Sequence, residues 1–430
     1  MNGRLLLAVG FTLAPVVVSA ARAQTPQPLT LAQAEQTALN NHPQIQAARY
    51  TSFAAKEIVR EARSAYFPAI SASLTGAGAE NGSRIAAGGL NNPIIYNRFA
   101  SGISVGQMLT DFGRTHALVA SSTLNAQAQD QNVSGQRAAV LLEVDRAYFS
   151  ALRAQAVQRV AQATVDARQI VVDQISALAA SHLKSGLDVS FAKVNLATAQ
   201  LVLAQAQNDT QRAFAMLAAT LGTQAGASYV LSEEPLPAPP PAETTSLVAA
   251  ALRDRPEVVG ARFGAESAAR LAEAEANLVR PSVSVVGAFG MAPYRELAIP
   301  EHYSAFGINI SVPVMNGNLF AARHAEATLR AEATTQRLRD VENQIARDVR
   351  IAWLNANTAF QRLGLTDQLL DQASQALDLA QSRYDLGLSS IVELSQAQLN
   401  KTQAELEQAS AKYDYQVQTA ALSFAIGARK

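Results

Sequence analysis

Apolar residues alternate with small or polar residues at two places in the chain, and each alternating stretch runs into a helical pattern of unusual length. The clearer stretch covers 303–314 and ends in a turn signal at 315–318. A period of two predicts a strand with two different faces. The earlier stretch covers 99–109 and ends at the turn 111–113. Both joints therefore predict a strand that is followed directly by a long helix.

The second joint repeats the first after about 205 residues, which indicates a duplicated unit rather than a short-period solenoid. This shift places Gly102 on Gly307. It also places Tyr148 on Trp353, deep inside the helical pattern. Each half reads as helix, strand, loop, strand, long helix and return helix. The sequence therefore predicts a mostly α protein with a two-fold internal repeat and four strands per chain.

The helical pattern after each joint is far longer than a compact domain needs. Residues 117–182 contain no proline, and Gly135 is their only glycine. About 65 residues of continuous helix would span roughly 100 Å. A spacing of seven in the last segment favours a coiled-coil seam, so we expect each long helix to return as an antiparallel coiled coil. The expected seam positions are Val392, Leu399, Leu406, Tyr413 and Ala420.

Breaks in these patterns divide the chain into four parts. Residues 1–23 combine a basic start, a short apolar run and an A-x-A site, which is typical of a cleaved export signal. The predicted parts are a signal peptide (1–23), a first repeat (24–234), a Pro-rich linker (235–243) and a second repeat (244–430). In the first repeat we expect a hairpin over about 69–111, a long helix over 117–183 and a return helix over 188–221. In the second repeat we expect a hairpin over about 282–315, a long helix over 319–384 and a return helix over 390–426.

Composition narrows the function classes. The chain has no cysteine, so disulfides and thiolate metal sites are excluded. Its formal net charge is zero, which gives no electrostatic attraction to nucleic acid. The five histidines fall in different segments without HExxH spacing, and the chain contains no phosphate-binding loop. We therefore expect no enzyme, no cofactor and no metal.

Four alternating strands with a signal sequence favour insertion into a lipid bilayer. No other window is apolar enough for a spanning helix, so insertion is expected to use the strands. Their two outer edges would leave backbone groups unsatisfied in lipid, and closure requires further copies. Two copies give eight strands and a filled interior, whereas three give twelve and space for water. The alternative is a soluble α+β protein whose strands pack on helices. The expected lipid-facing and girdle residues are Tyr66, Phe67, Phe99, Ile103, Phe289, Phe306, Ile308 and Ile310.

Several passages, in a fixed order, connect the chain to a known family. They are LTLAQAEQTALNNHPQIQAAR, VGQMLTDFGRTHAL, ISVPVMNGNLFAARHA and SRYDLGLSSIVELSQAQL. With the two-fold repeat, they make the chain resemble the TolC-like outer-membrane efflux proteins over essentially its whole mature length. The resemblance implies a homotrimer in the outer membrane of a Gram-negative bacterium, with a twelve-stranded β-barrel and a long α-barrel in the periplasm. It also implies an exit duct for tripartite efflux or type I secretion, with a periplasmic adaptor and an inner-membrane pump as partners.

The resemblance further implies that the turns between long and return helices form the periplasmic tip. These turns fall at 184–187 and 385–388. Glycine suits such turns, and exposed leucines beside it are expected to contact the adaptor. The simpler interpretation is that both glycines only end helices. The expected tip residues are Gly186, Leu187, Gly387 and Leu388.

In the same family, acidic residues just beyond the second tip narrow a closed mouth. Matching that motif places Glu393 at the first acidic position and Gln396 at the second, while Ser389 replaces a basic residue. Three copies of Glu393 would form a ring that attracts cations. Tyr384 is retained, and Asp188 lies beside the first tip. For Glu393 the alternative is an ordinary solvated helix face.

Two other functions compete with the duct. A periplasmic coiled-coil scaffold would explain the helices but not the alternating strands. A simple diffusion porin would explain the strands but not roughly 100 Å of helix.

Overall fold

The structure, a computed structural model, describes residues 27–78, 80, 97–223, 229–295, 297 and 300–428. The signal peptide expected over 1–23 lies outside these residues. Most of the described chain is helical. The elements, in chain order, are β1 (Gln27–Leu29), α1 (Leu31–Asn41), α2 (Pro43–Ser64), β2 (Ala69–Ala77), β3 (Arg98–Thr110), α3 (Arg114–Ala180), α4 (Gly186–Thr220), β4 (Tyr229–Leu231), α5 (Thr245–Asp254), α6 (Pro256–Ala276), β5 (Ser282–Arg295), β6 (His302–Ser311), α7 (Leu319–Asp385) and α8 (Ile391–Ala425).

Two helices dominate the molecule. Helices α3 and α7 have 67 residues each. At 1.5 Å per residue each is about 100 Å long. Short turns reverse the chain into α4 and α8, which have 35 residues each and pack back along α3 and α7. Helix α3 also packs against α6 and α8, so the two helical hairpins lie side by side.

Alanine side chains form the seam of these hairpins. The seam expected on α8 is wrong in the N-terminal half of that helix. Val392 and Leu399 are more than half exposed, whereas Tyr413 and Ala420 are buried. A row of buried alanines occupies the seam instead, because a methyl side chain lets two helix backbones approach closely and leaves the larger Val and Leu row outside. The buried alanines at spacing seven are Ala192, Ala199 and Ala206 on α4, and Ala397, Ala404 and Ala411 on α8.

At the end of the long helices opposite to the turns into α4 and α8, the chain forms a four-stranded antiparallel sheet with the order β2-β3-β5-β6. The two hairpins β2-β3 and β5-β6 join through the β3-β5 pair. Strand β6 ends at Ser311, so the hairpin expected to reach about residue 315 is shorter. Pro313 explains the difference, because proline has no N–H to donate to a ladder. Within the described residues, β2 and β6 each have one neighbour.

A second, smaller sheet pairs β1 with β4 in parallel near the middle of the long helices. Its strands have three residues each and carry too little pattern to be recognised in the sequence. The buried ring of Tyr148 lies beneath it, and its hydroxyl lies 2.8 Å from the carbonyl oxygens of Leu29 and Ser232. This contact joins the start of the first half to the end of β4.

Side chains of the second half hold the Pro-rich linker against the helices. The Tyr415 hydroxyl donates to the Ala238 carbonyl at 2.6 Å. The Trp353 Nε1–H donates to the Pro241 carbonyl at 2.7 Å. Trp353 is therefore more than a packing residue on α7. Proline-rich backbone cannot form a ladder of its own, and these donors satisfy its carbonyls.

Candidate functional site

The four-stranded sheet has one apolar face and one small or polar face. Directly opposed residues in an antiparallel pair point to the same face. Ile103 lies opposite Phe289. Val285 lies opposite Ile308. The register therefore gathers most of the large apolar side chains of all four strands on a single surface, with Val286 and Met108 on the other. On the other face small polar groups meet, as the 2.7 Å contact between the Ser71 and Ser104 hydroxyls illustrates.

No described helix covers the apolar face. Phe306, in the edge strand β6, is 80% exposed. Tyr66 and Phe67 flank the sheet from the turn between α2 and β2 rather than from a strand. An α+β protein would bury such a face beneath helices, so this observation contradicts the soluble alternative. All eight residues expected to face lipid are exposed: Tyr66, Phe67, Phe99, Ile103, Phe289, Phe306, Ile308 and Ile310.

The far end of the molecule is formed by two helical turns, and the first is built differently from the expectation. His182 has a φ of 58° and ends α3 in the left-handed conformation. Its N–H donates to the Ala179 carbonyl at 3.0 Å, and the Leu183 N–H donates to the Leu178 carbonyl at 2.9 Å. This pair of bonds is the Schellman motif. The expectation that Gly186 forms this turn is wrong, because Gly186 is the first residue of α4.

The second turn uses the same hydrogen bonds with a different residue. Gly387 has a φ of 74°, and its N–H donates to the Tyr384 carbonyl at 3.1 Å. The Leu388 N–H donates to the Arg383 carbonyl at 2.8 Å. Here glycine sits at the position that favours it, since it has no Cβ to clash in the left-handed region. Gly387 follows His182 by about 205 residues, the offset of the two strand-to-helix joints.

A serine begins each return helix, but the acidic residue three positions later behaves differently in the two. Ser185 caps α4, and the Asp188 carboxylate accepts from the Ser185 N–H at 3.1 Å in a capping box. Ser390 caps α8 through the Glu393 N–H. The Glu393 carboxylate instead pairs with the Arg383 guanidinium at 3.1 Å. Asp188 therefore serves its own helix, whereas Glu393 crosses to the long helix.

Tyr384 joins the two turns. Its ring is buried in an apolar cluster that α3, α4, α7 and α8 share. The Lys184 ammonium of the first turn lies 3.7 Å from the ring centroid, a cation–π contact. The Tyr384 hydroxyl is buried and has no hydrogen-bond partner among the described residues, and the Ser389 hydroxyl shares that state. Packing and charge, rather than a hydrogen bond from this hydroxyl, hold the turns together.

Sequence reasoning missed two residues of this region. Lys184 and Arg383 make contacts between elements here; Lys184 lies in the expected tip range 184–187, but no contact was expected of either residue. The available signal was their position, since each stands within three residues of a turn and carries a long cationic side chain. Gln396 lies beyond these contacts, where its side-chain amide donates to the Asn400 side chain at 2.9 Å.

Leucines surround both turns. They stand where the chain reverses, and each is more than 60% exposed although aliphatic side chains are normally buried. The apolar surface is wider than the two leucines expected from the sequence. Its members are Leu183, Leu187, Leu386 and Leu388.

Helix α4 carries a second uncovered apolar surface. It contains a window apolar and long enough to cross a membrane, so the expectation that no such window exists is wrong. Only 11% of that window is buried within the chain. Val194 and Leu201, one heptad apart, are 61% and 74% exposed. The alanine row faces α3, and the larger side chains are left on the outside.

Comparison with known proteins identifies the family to which this architecture belongs. The family model of the outer membrane efflux protein matches residues 34–223 and 247–428. The chain belongs to the outer membrane efflux protein family. It is therefore an outer-membrane protein that forms an efflux channel. Outer membrane location contradicts the periplasmic scaffold, and the efflux family contradicts the simple diffusion porin.

Relatives of the family match along nearly the whole chain. Outer membrane protein TolC of Vibrio cholerae is 24% identical over 425 residues, covering 96% of this chain and 95% of that protein. Outer membrane protein TolC of Escherichia coli is 22% identical over 417 residues, covering 92% of this chain and 82% of that protein. A membrane protein of Pseudomonas aeruginosa has the same fold, with a TM-score of 0.80, 20% identity and coverage of 92% and 93%.

Proposed function

We propose that three copies of this chain form the exit duct of a tripartite efflux or type I secretion system. The duct carries substrates from an inner-membrane pump across the periplasm and the outer membrane. One observation carries the proposal: an uncovered apolar sheet with two open edges stands at one end of helical hairpins about 100 Å long. The sheet suits lipid, and the hairpins suit the periplasm.

Closure of the sheet explains why copies are needed. Strand β6 runs towards α7, and β2 runs away from α2, so β6 of one copy meets β2 of the next in antiparallel sense. Every pair within the four-stranded sheet is antiparallel as well. Three copies give twelve strands, enough for a water-filled bore, whereas eight strands would be filled by side chains. Closure also satisfies the edge N–H and C=O groups, which lipid cannot do.

The helices of neighbouring copies are also expected to pack side by side. Helix α4 stands at one side of the described hairpins, and α7 stands at the other. The exposed Leu201 of α4, which lies outside the groove between α4 and α8, supports packing of α4 against α7 of the next copy, which yields a closed α-barrel. In this arrangement α3, α4, α7 and α8 of each chain stand side by side around the barrel.

The tips are the proposed docking surface for a periplasmic adaptor. Four exposed leucines beside two rigid Schellman turns offer an apolar patch on a defined frame. Changing Leu386 and Leu388 together to serine is expected to abolish co-purification with the adaptor, with trimer formation unchanged. Changing the equally exposed Leu329, which lies away from the turns, to serine is the matched control.

Glu393, Gln396, Tyr384 and Asp188 are proposed to surround the mouth. The Arg383–Glu393 pair supports a closed arrangement in which the negative charge is partly balanced within each copy. Gln396 adds a neutral ring beyond it. No catalytic role is proposed for any of these side chains.

Oligomer closure is tested by disulfide trapping, since the chain has no cysteine. Ser71→Cys on β2 is combined in turn with Cys at Ala305, Gly307, Asn309 or Ser311 on β6. One register is expected to yield an oxidised ladder that ends at three copies. Ser71→Cys alone is the control. A protein that stays monomeric, or a ladder that ends at two, would overturn the proposal.

A further inference from the structure

A groove of about 360 Å³ lies between α4 and α8, with α3 as its floor. This volume falls within the range of small-molecule sites, about 300–1,000 Å³. The Asn195 side-chain amide donates to the Ser395 hydroxyl at 2.8 Å and ties the two walls together. The apolar lining consists of Phe191, Val194, Val202, Val392 and Leu399.

The alanine seam explains why the groove exists. Buried Ala199 and Ala397 face neighbouring helices, so the larger side chains on the same helices turn outward. Val392 and Leu399 belong to the heptad row that the seam leaves out. Helices α4 and α8 barely touch each other, while both pack on α3. A concave apolar surface results without any large side chain to fill it.

A cation lies on the floor of this groove. The Arg168 guanidinium is partly buried and makes no ion pair or hydrogen bond with another residue in the part of the chain that the structure describes. Burial lowers its pKa, and the field of Glu405 acts in the opposite direction. That carboxylate is already 3.5 Å from the Lys401 ammonium. A guanidinium drawn out of water without a hydrogen-bonded anion is unfavourable, and a bound anion would relieve this.

We propose that the groove binds an amphipathic organic anion. Its carboxylate or sulfonate pairs with Arg168, and its apolar body rests on Phe191 and Leu399. Guanidinium suits a planar carboxylate because two parallel N–H donors meet its two oxygens. A second copy of the chain is the less suitable occupant, because in the proposed assembly α7 of the next copy meets α4 on the side away from α8, whereas the groove lies between α4 and α8 of one chain. Binding of the anion does not depend on conduction through the duct. The groove and the duct can therefore be tested separately.

The test uses 4-benzoylbenzoate, a photoreactive carboxylate with an apolar body, on the purified full-length protein in lipid nanodiscs. After irradiation, peptide mapping by mass spectrometry locates the label. The expected label lies within 191–202 or 392–402 and is displaced by dodecanoate. The neutral amide 4-benzoylbenzamide, which lacks the charge, is expected to label these peptides about tenfold less.

Three variants sharpen the result. Arg168→Gln is expected to reduce labelling about tenfold, since a charge-assisted hydrogen bond is lost. Val194→Trp fills the groove from an exposed position and is expected to abolish labelling with the cation intact. Arg337→Gln removes an exposed arginine from α7, outside the groove, and should leave labelling at the parent level.

Label spread over other peptides, or equal labelling of the parent, Arg168→Gln and Val194→Trp, would overturn the proposal. Absence of label from the groove in the parent would also overturn it. A conducting trimer with no label would reject the groove and retain the duct. A labelled monomer would reject the duct and retain the groove.

Discussion

The two helical turns at the tip share one backbone design and differ in their side chains. Both end the long helix in a Schellman motif and begin the return helix with a serine cap. In the first turn the acidic residue, Asp188, caps its own helix. The second leaves Glu393 to reach across to Arg383. A carboxylate at the same position therefore caps its own helix in one turn and forms an ion pair with the long helix in the other.

The largest effect is expected from Tyr384→Ala, because this ring is buried between the two turns. Truncating a buried aromatic side chain typically costs about 3–5 kcal/mol. We expect hydrogen exchange at both turns to accelerate together. Tyr384→Phe should exchange like the parent, since the hydroxyl has no hydrogen-bond partner among the described residues. Fast exchange in Tyr384→Phe would show that the hydroxyl, rather than the ring, joins the turns.

Exchanging the left-handed residues is the next largest change. Gly387 and His182 have similar positive φ values, 74° and 58°. Gly387→Ala adds a Cβ in the left-handed region and is expected to destabilise its turn by about 1–2 kcal/mol. His182→Gly relieves the same strain and should stabilise the first turn by up to about 1 kcal/mol. Local hydrogen exchange measures the change in stability of each turn. Changes of the same sign in the two variants would contradict the structural equivalence of the two turns.

Loss of the capping box comes third. Asp188→Ala removes the acceptor for the Ser185 N–H and is expected to cost about 1 kcal/mol at the start of α4. Amide exchange at the first turn of α4 should accelerate. Glu393→Ala is the matched control, and its effect on exchange at α8 should be smaller. Equal loss of protection in both variants would remove the distinction between the two carboxylates.

The smallest effect on stability, and the clearest effect on function, is expected from Glu393→Gln. Its ion pair with Arg383 is nearly half exposed on both sides, and such pairs contribute about 0–1 kcal/mol. Single-channel recordings in bilayers should show altered cation dependence of conductance. Glu332→Gln, which removes an exposed carboxylate of α7 away from the turns, should retain the parent's dependence. Identical recordings for Glu393→Gln and the parent would show that this residue is an ordinary solvated side chain.

Sequence patterns determined the strongly periodic parts of the fold. Alternation over β6 and the absence of proline along α3 follow directly from backbone geometry, so strands, long helices and their joints could be read without neighbours. The exposed face of the sheet could be read in the same way. Family resemblance supplied the tip and mouth, which no local pattern identifies.

Tertiary context decided what the sequence did not reveal. The larger Val392 and Leu399 suggested the seam, but helix approach selects the smaller Ala397 and Ala404. Gly186 suggested the turn, but His182 tolerates the left-handed conformation and ends α3 earlier. Contacts between elements, such as Lys184 on the Tyr384 ring, depend on how the hairpins pack and carry no sequence periodicity.

Disulfide trapping of neighbouring copies measures whether the four-stranded sheet closes into a barrel of three copies. Cysteines at Ser71 on β2 and at Asn309 or its neighbours on β6 report whether the open edges of the sheet meet. The account predicts, for one register, an oxidised product of three copies in intact outer membranes that collapses to one copy on reduction. A cross-link within a single copy, or no cross-link in any register, would contradict it.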